Sequence, residues 1–168
     1  IKGGRLMAII GNNNLISMWY HETDGWYNRS SNQWGEISSA YRLTVTPVRS
    51  DSKIVFECSL PNQTVTHHGL NHYRIYNVTD GAVVNEPLAH MSRSRDHAPS
   101  RGQYNGDNVT IVNIRTVGDS FSGSKVFTIQ SHSWNNDTTR HNHSNGNSNF
   151  DVHFSSNMVF LAYEIEDI

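Results

Sequence analysis

A single cysteine, Cys58, stands among 168 residues. No disulfide can therefore form within one copy, and a small secreted scaffold held by disulfides is excluded. Charge is scarce as well: charged side chains make up 17 % of the chain and the formal net charge is -2. Such a balance gives no electrostatic drive toward phosphate backbones or anionic lipid, so nucleic acid is not expected as a partner. Long apolar runs are missing. The longest near the start covers residues 6–10, far short of the roughly 20 residues that span a bilayer, and it lacks a signal-peptide pattern. No membrane insertion is expected. Nor do apolar residues recur at helical spacing for more than a turn or two, which argues against a helical core.

What the sequence has in quantity is neutral polarity. Apolar residues amount to 36 %, low for a globular domain, and the polarity comes from Asn, Ser, Thr, His and Gly. A chain of this length falls in the single-domain range and buries roughly 70 % of its unfolded surface. One modest core is expected. The 10 histidines would raise the net charge near pH 6, although solvated loop imidazoles are the simpler reading.

Alternation of apolar and polar residues recurs down the whole chain, the mark of half-buried strands. Tyr41, Leu43 and Val45 alternate with Arg42, Thr44 and Thr46, and Ile54, Phe56, Cys58 and Leu60 alternate with Val55, Glu57 and Ser59. Eight strands are predicted, at residues 15–21, 41–46, 54–60, 71–77, 82–88, 108–116, 125–133 and 158–166. The connections at 47–52, at Asp80-Gly81 and at 118–124 are short and carry Pro, Asp-Gly or Gly-rich turn chemistry. Those at 22–39, 61–70, 89–107 and 134–157 are long and polar. Long and short connections alternate, and in an antiparallel sandwich alternate connections emerge at opposite ends. All four long loops should therefore share one end, with the tight turns and both termini at the other, which is the plan of an all-β, eight-stranded jelly roll.

Residues 43–56 read LTVTPVRSDSKIVF, a strand, a Thr-Pro-x-x-Ser-x-Ser-Lys turn and a second strand. Arg95-Asp96 lie mid-chain, and residues 155–165 read SSNMVFLAYEI. In these pieces the chain resembles the C1q/TNF-like jelly-roll C-terminal domains of bacteriophage fibre and virion structural proteins, over roughly residues 15–165. The resemblance implies a tight homotrimer, with 15–168 as the jelly-roll domain and 1–14 as an N-terminal connection to an upstream stalk or virion region. A chain that begins at Ile1 rather than Met fits a fragment or a processed product. The partners implied are other virion proteins on the N-terminal side and a host-surface glycan or protein, at the extracellular surface of the virion. Phe160, Leu161 and Tyr163 on the closing strand are the expected core and interface residues.

The resemblance brings no catalytic set, and no enzyme is expected. Acidic residues are scattered as Glu22 and Asp24, Asp96 and Asp107, and Asp137 and Asp151, with no spacing that asks for a carboxylate pair. His141-Asn142-His143 is the sharpest local signal. In an extended segment both imidazoles of His141 and His143 face one way, so a threefold axis would offer six nitrogens to a transition-metal ion. The motif resembles iron-holding His-x-His pairs of phage fibres; here it is read as lying in a loop. Apart from that axial ion no cofactor is expected. His67-His68 with His72 form a second cluster, without a carboxylate or Cys at zinc-ligand spacing.

Aromatic residues interleaved with Asn, Asp, Arg and His suit sugar recognition better than catalysis, since a ring face packs on a sugar's apolar face while polar groups meet its hydroxyls. Trp26, Tyr27, Trp34, Tyr104 and Trp134 lie in or beside the long connections. The predicted contact residues are Trp34, His67, Arg101, Tyr104, Trp134, Arg140, His141 and His143. Two rival roles use the same fold: a capsid decoration or minor head protein, and a secreted C1q-like ligand. The second would give meaning to the glycosylation sequons at Asn28, Asn62, Asn77, Asn108, Asn136 and Asn142, of which Asn77 and Asn108 lie at predicted strand ends, an awkward place for a glycan.

Overall fold

The structure is a computed structural model, and it describes residues 2–6, 15–25, 27–64, 70–84, 90–93, 106–116, 122–133, 139–141 and 157–166. Among them thirteen strands occur. In chain order they are β1 (Lys2–Leu6), β2 (Leu15–Thr23), β3 (Tyr27–Arg29), β4 (Gly35–Glu36), β5 (Leu43–Val45), β6 (Ser52–Thr64) and β7 (Leu70–Asn77). They continue as β8 (Ala82–Val83), β9 (His90–Arg93), β10 (Gly106–Thr116), β11 (Lys125–Ser133), β12 (Thr139–His141) and β13 (Met158–Glu166). The one helical element described is a 3-10 turn at Ser39–Tyr41, whose N-terminus is capped by Ser38 Oγ accepting from Ala40 N at 3.1 Å.

All pairings are antiparallel and fall into two sheets. In the first, the order β1, β2, β13, β6 continues to β10, while β12 and β3 extend the rows of β13 and β2. The second runs from β4 and β5, which share one edge of β11, through β11 and β7 to β8 and β9, which share the far edge of β7. The segments thus collapse into rows, and each of the eight predicted strands occupies its own. Three details differ from the sequence reading. Lys2–Leu6, inside the stretch expected to be a connection, pairs with β2; its sequence KGGRL has no alternation to betray it. Tyr41 belongs to the 3-10 turn instead of the second strand. The fifth strand is divided between β8 and β9, and residues 85–89 lie outside the described residues.

The alternation read from the sequence buries the side it was expected to bury. Tyr41, Leu43, Val45, Ile54, Phe56, Cys58 and Leu60 join Tyr73, Ile75, Phe127, Ile129, Met158, Phe160 and Ala162 in one core. Phe56 of the first sheet lies 4.6 Å from Phe127 of the second, ring centre to ring centre, so the inner faces interlock as a sandwich. Burial pushes the Cys58 thiol far above its ordinary range, and it acts as a small apolar core residue.

The turn between β5 and β6 is pinned from below. Glu164 on β13 is fully buried and accepts from the backbone N–H of Val48 and of Arg49, each at 2.8 Å, and from Ser52 Oγ at 2.6 Å. A buried carboxylate is tolerable only when such donors replace water. Outside it, Arg49 bonds both oxygens of Asp51 and reaches Glu166 at 2.9 Å. The Thr-Pro-x-x-Ser-x-Ser-Lys turn and the closing AYEI stretch are therefore two halves of one joint.

Candidate functional site

The strand register defines two poles. At one, Thr23 faces Met158, Gln63 faces Gly106, Leu70 faces Arg93 and Ser133 faces Asn71. At the other, Ser52 faces Glu166, Lys53 faces Thr116, Val45 faces Lys125 and Asn77 faces Ala82. The connections that follow Thr64, Arg93 and Ser133, and the one that enters Met158, all join strand ends of the first pole. Leu15 and Glu166 end their strands at the second. Lys2, facing Glu22, lies at the first pole, contrary to the expectation that both termini sit with the tight turns, because β1 folds back antiparallel along β2.

Of the predicted contact residues, His67, Arg101, Tyr104, Trp134 and His143 lie outside the described residues, as do Trp26 and Arg95-Asp96. Arg140 and His141 do not sit in a loop, contrary to the sequence reading. They form β12, where Arg140 stands between Gln63 and Asn28 and His141 between Asn62 and Tyr27. The reason is that β3 and β6 both run past the first pole and offer the segment a ladder on each side, which two-residue alternation around His141 gave no cause to expect.

Trp34 is the anchor of a cluster on the outer face of the second sheet. On β7, Tyr73, Ile75 and Asn77 turn inward, so His72, Arg74 and Tyr76 turn outward. Across the ladder His132 stands opposite His72, and Gln130 opposite Arg74. Arg74 Nε donates to Gln130 Oε1 at 2.8 Å, and its guanidinium lies 4.3 Å from the centre of the Trp34 ring, a cation–π contact. The imidazoles complete the cluster: His132 is 5.4 Å and His72 6.5 Å from Trp34, and the two are 5.8 Å apart with planes at 73°.

The loop before β4 fixes the indole. Arg29 Nε donates to Gly35 O at 3.2 Å and Nη2 to Gln33 O at 2.6 Å, while Ser133 N donates to Ser31 O at 2.8 Å. A Cβ at position 35 would run into the Arg29 guanidinium, so a side chain there would displace it from this loop. Partial burial, and after it the neighbouring His132, hold the His72 pKa below the usual imidazole value. Neutral imidazole is thereby favoured at pH 7. His132 Nδ1 is buried and has no hydrogen-bond partner among the described residues. Chemically the cluster offers aromatic faces, a stacked guanidinium and imidazole nitrogens. It holds no nucleophile with a base beside it.

His72 was visible in the sequence as part of a cluster with His67-His68, but its partner His132 was not. Sixty positions separate them, and only the register of β7 against β11 brings them together. Arg74, Tyr76 and Gln130 were missed for the same reason. Of the sequons, Asn28 is exposed on β3, whereas Asn77 is buried and donates to Asp80 Oδ2 at 2.7 Å, a place no glycan can occupy in the fold.

No known protein family matches the chain, and no curated protein does. Among solved structures, the T13 particle of infectious bursal disease virus is 8 % identical with a TM-score of 0.44, covering 95 % of this chain and 40 % of that one. The VP2 subviral particle of infectious bursal disease virus is 10 % identical with a TM-score of 0.40, covering 96 % of this chain and 42 % of that one. PorU from Porphyromonas gingivalis is 8 % identical with a TM-score of 0.40, covering 93 % of this chain and 14 % of that one. The chain spans less than half of each of these. Likenesses this distant assign neither a family nor a function.

Proposed function

We propose that this domain is a non-enzymatic jelly-roll module of a virion appendage, trimeric, whose connection-bearing pole binds a host-surface glycan. The observation that carries this reading is the separation of poles: the long polar connections leave strand ends opposite the pole at which Leu15 and Glu166 end their strands. A module built so presents its adaptable loops together at one end of a rigid sandwich. Numbering the eight predicted rows in chain order gives 1-8-3-6 in the first sheet and 2-7-4-5 in the second, the order of two interleaved Greek keys in a jelly roll.

The outer face of the first sheet supports a trimer. Met18 and Tyr20 on β2, Val55 on β6, and Val159, Leu161 and Tyr163 on β13 are apolar or aromatic residues facing away from the core and only partly covered by their own chain, Val55 excepted. A second copy laid on this face would remove them from water, at about 25 cal/mol per Å² of apolar area. Two measurements test the proposal. Size-exclusion chromatography with light scattering should return three times the chain mass, and Leu161→Glu should return one. On a glycan array, binding by the full chain should fall at least tenfold when Trp134 and Tyr104 are both changed to Ala; a monomer, or array binding indifferent to both changes, overturns the reading.

A further inference from the structure

We propose that His72 and His132 form a binding site for a divalent transition-metal ion, with zinc as the reference ligand, on the outer face of the second sheet. The site is independent of the trimer and of glycan binding. Residues directly opposite on antiparallel strands have Cβ atoms about 5 Å apart, which lets two imidazoles converge on one ion. With metal–nitrogen bonds of about 2.1 Å and roughly another 1.1 Å from nitrogen to ring centre, two rings sharing one ion lie roughly 5–6 Å apart. The observed separation is 5.8 Å, with the planes steeply inclined at 73°.

Three features favour an ion over a chance encounter of two side chains. Trp34 packs against both rings and restricts them, so little side-chain freedom remains to be lost on binding. The ring nitrogen Nδ1 of His132 is enclosed without a hydrogen-bond partner among the described residues, a donor position that coordination would satisfy. His72 favours the neutral form that a ligand must have. Arg74, the cation of the cluster, is engaged by Gln130 and by the Trp34 face. Two nitrogens leave further coordination positions to water or to a ligand oxygen, and imidazole donors suit zinc, copper and nickel over magnesium or calcium.

The test is thermal unfolding of the full chain, stripped with chelator, at pH 7.5 with and without zinc. Binding to the folded state alone should raise the Tm by about 3 °C or more once zinc exceeds its dissociation constant a hundredfold. His72→Gln and His132→Gln should each remove most of that rise, while His141→Gln should leave it in place, which separates this site from the His141/His143 pair. Copper(II) bound to the unmodified chain should show splitting from two imidazole nitrogens in its paramagnetic resonance spectrum, a readout that needs no variant. A zinc effect that survives in the double Gln variant, or the absence of any effect on the unmodified chain, defeats the proposal.

Discussion

Glu164 shows how much one side chain can decide. Its carboxylate collects two backbone N–H groups and one hydroxyl inside the protein, and charged hydrogen bonds of this kind contribute about 1.5–3 kcal/mol each. Glu164→Ala should therefore cost about 2–3 kcal/mol, because the buried Ser52 hydroxyl and the N–H groups of Val48 and Arg49 lose their shared acceptor, and Glu164→Gln, which keeps one carbonyl oxygen, should cost less. Urea unfolding measures both, and a loss under about 1 kcal/mol for Ala would show that water replaces the carboxylate. A second pair gives a smaller, pH-dependent effect. The Arg42 guanidinium, bonded to both oxygens of Glu36 at 2.8 Å, lowers the Glu36 pKa from its ordinary 4.5. The folded state thus gains stability above the unfolded value near 4.5 and loses it as the pH falls through the lower folded value. Since both partners are partly exposed, the gain should stay under about 1 kcal/mol. Arg42→Ala should flatten that part of the stability curve and leave the curve above pH 6 parallel to the original.

At the scale of elements, the turns at the second pole are built from local chemistry that can be read residue by residue. In the turn between β7 and β8, Asn77 Oδ1 accepts from Asp80 N at 3.1 Å, Lys125 Nζ bonds Asp80 Oδ1 at 2.7 Å, and Thr79 Oγ1 accepts from Val126 N at 2.9 Å. Gly81 closes the turn at φ 67°, a left-handed conformation that costs other residues roughly 1 kcal/mol or more. Gly81→Ala should lower stability by about 1 kcal/mol without changing the core, since an added Cβ would meet only Tyr76 Oη at an ordinary contact distance of 3.7 Å and only the backbone objects. A neutral result by chemical denaturation would mean the turn relaxes to another type. Elements at the opposite pole obey different logic. β12 carries no apolar alternation, yet β3 and β6 pair with it on both sides, and its strand character comes from neighbours rather than from its own residues.

For the whole molecule, cooperation between sheets sets what the domain can be. The order 1-8-3-6 against 2-7-4-5 places the first and last of the eight predicted strands side by side in one sheet, while β1 carries the chain back along β2 so that Lys2 and Glu166 lie at opposite poles. That arrangement gathers the long connections at one pole, and it is the premise of the proposed recognition pole. It also leaves the face bearing Leu161 and Tyr163 as the partly covered surface on which the expected light-scattering mass depends.

The sequence by itself determined the strands and which of their sides would be buried: alternation is a local property, and Phe56, Cys58 and Leu60 or Phe160 and Ala162 declare it within a few residues. It also determined the tight turns, because Asp80-Gly81 and Pro47 act on their own dihedral angles. Tertiary structure alone decided that Glu164 would hold Val48 and Arg49, that His132 would meet His72, and that Lys2–Leu6 and Thr139–His141 would become strands. Each of these joins residues far apart in the chain or lacking a pattern of their own. The energy that selects them comes from strand register and enclosure, which exist only once the two sheets have closed on each other.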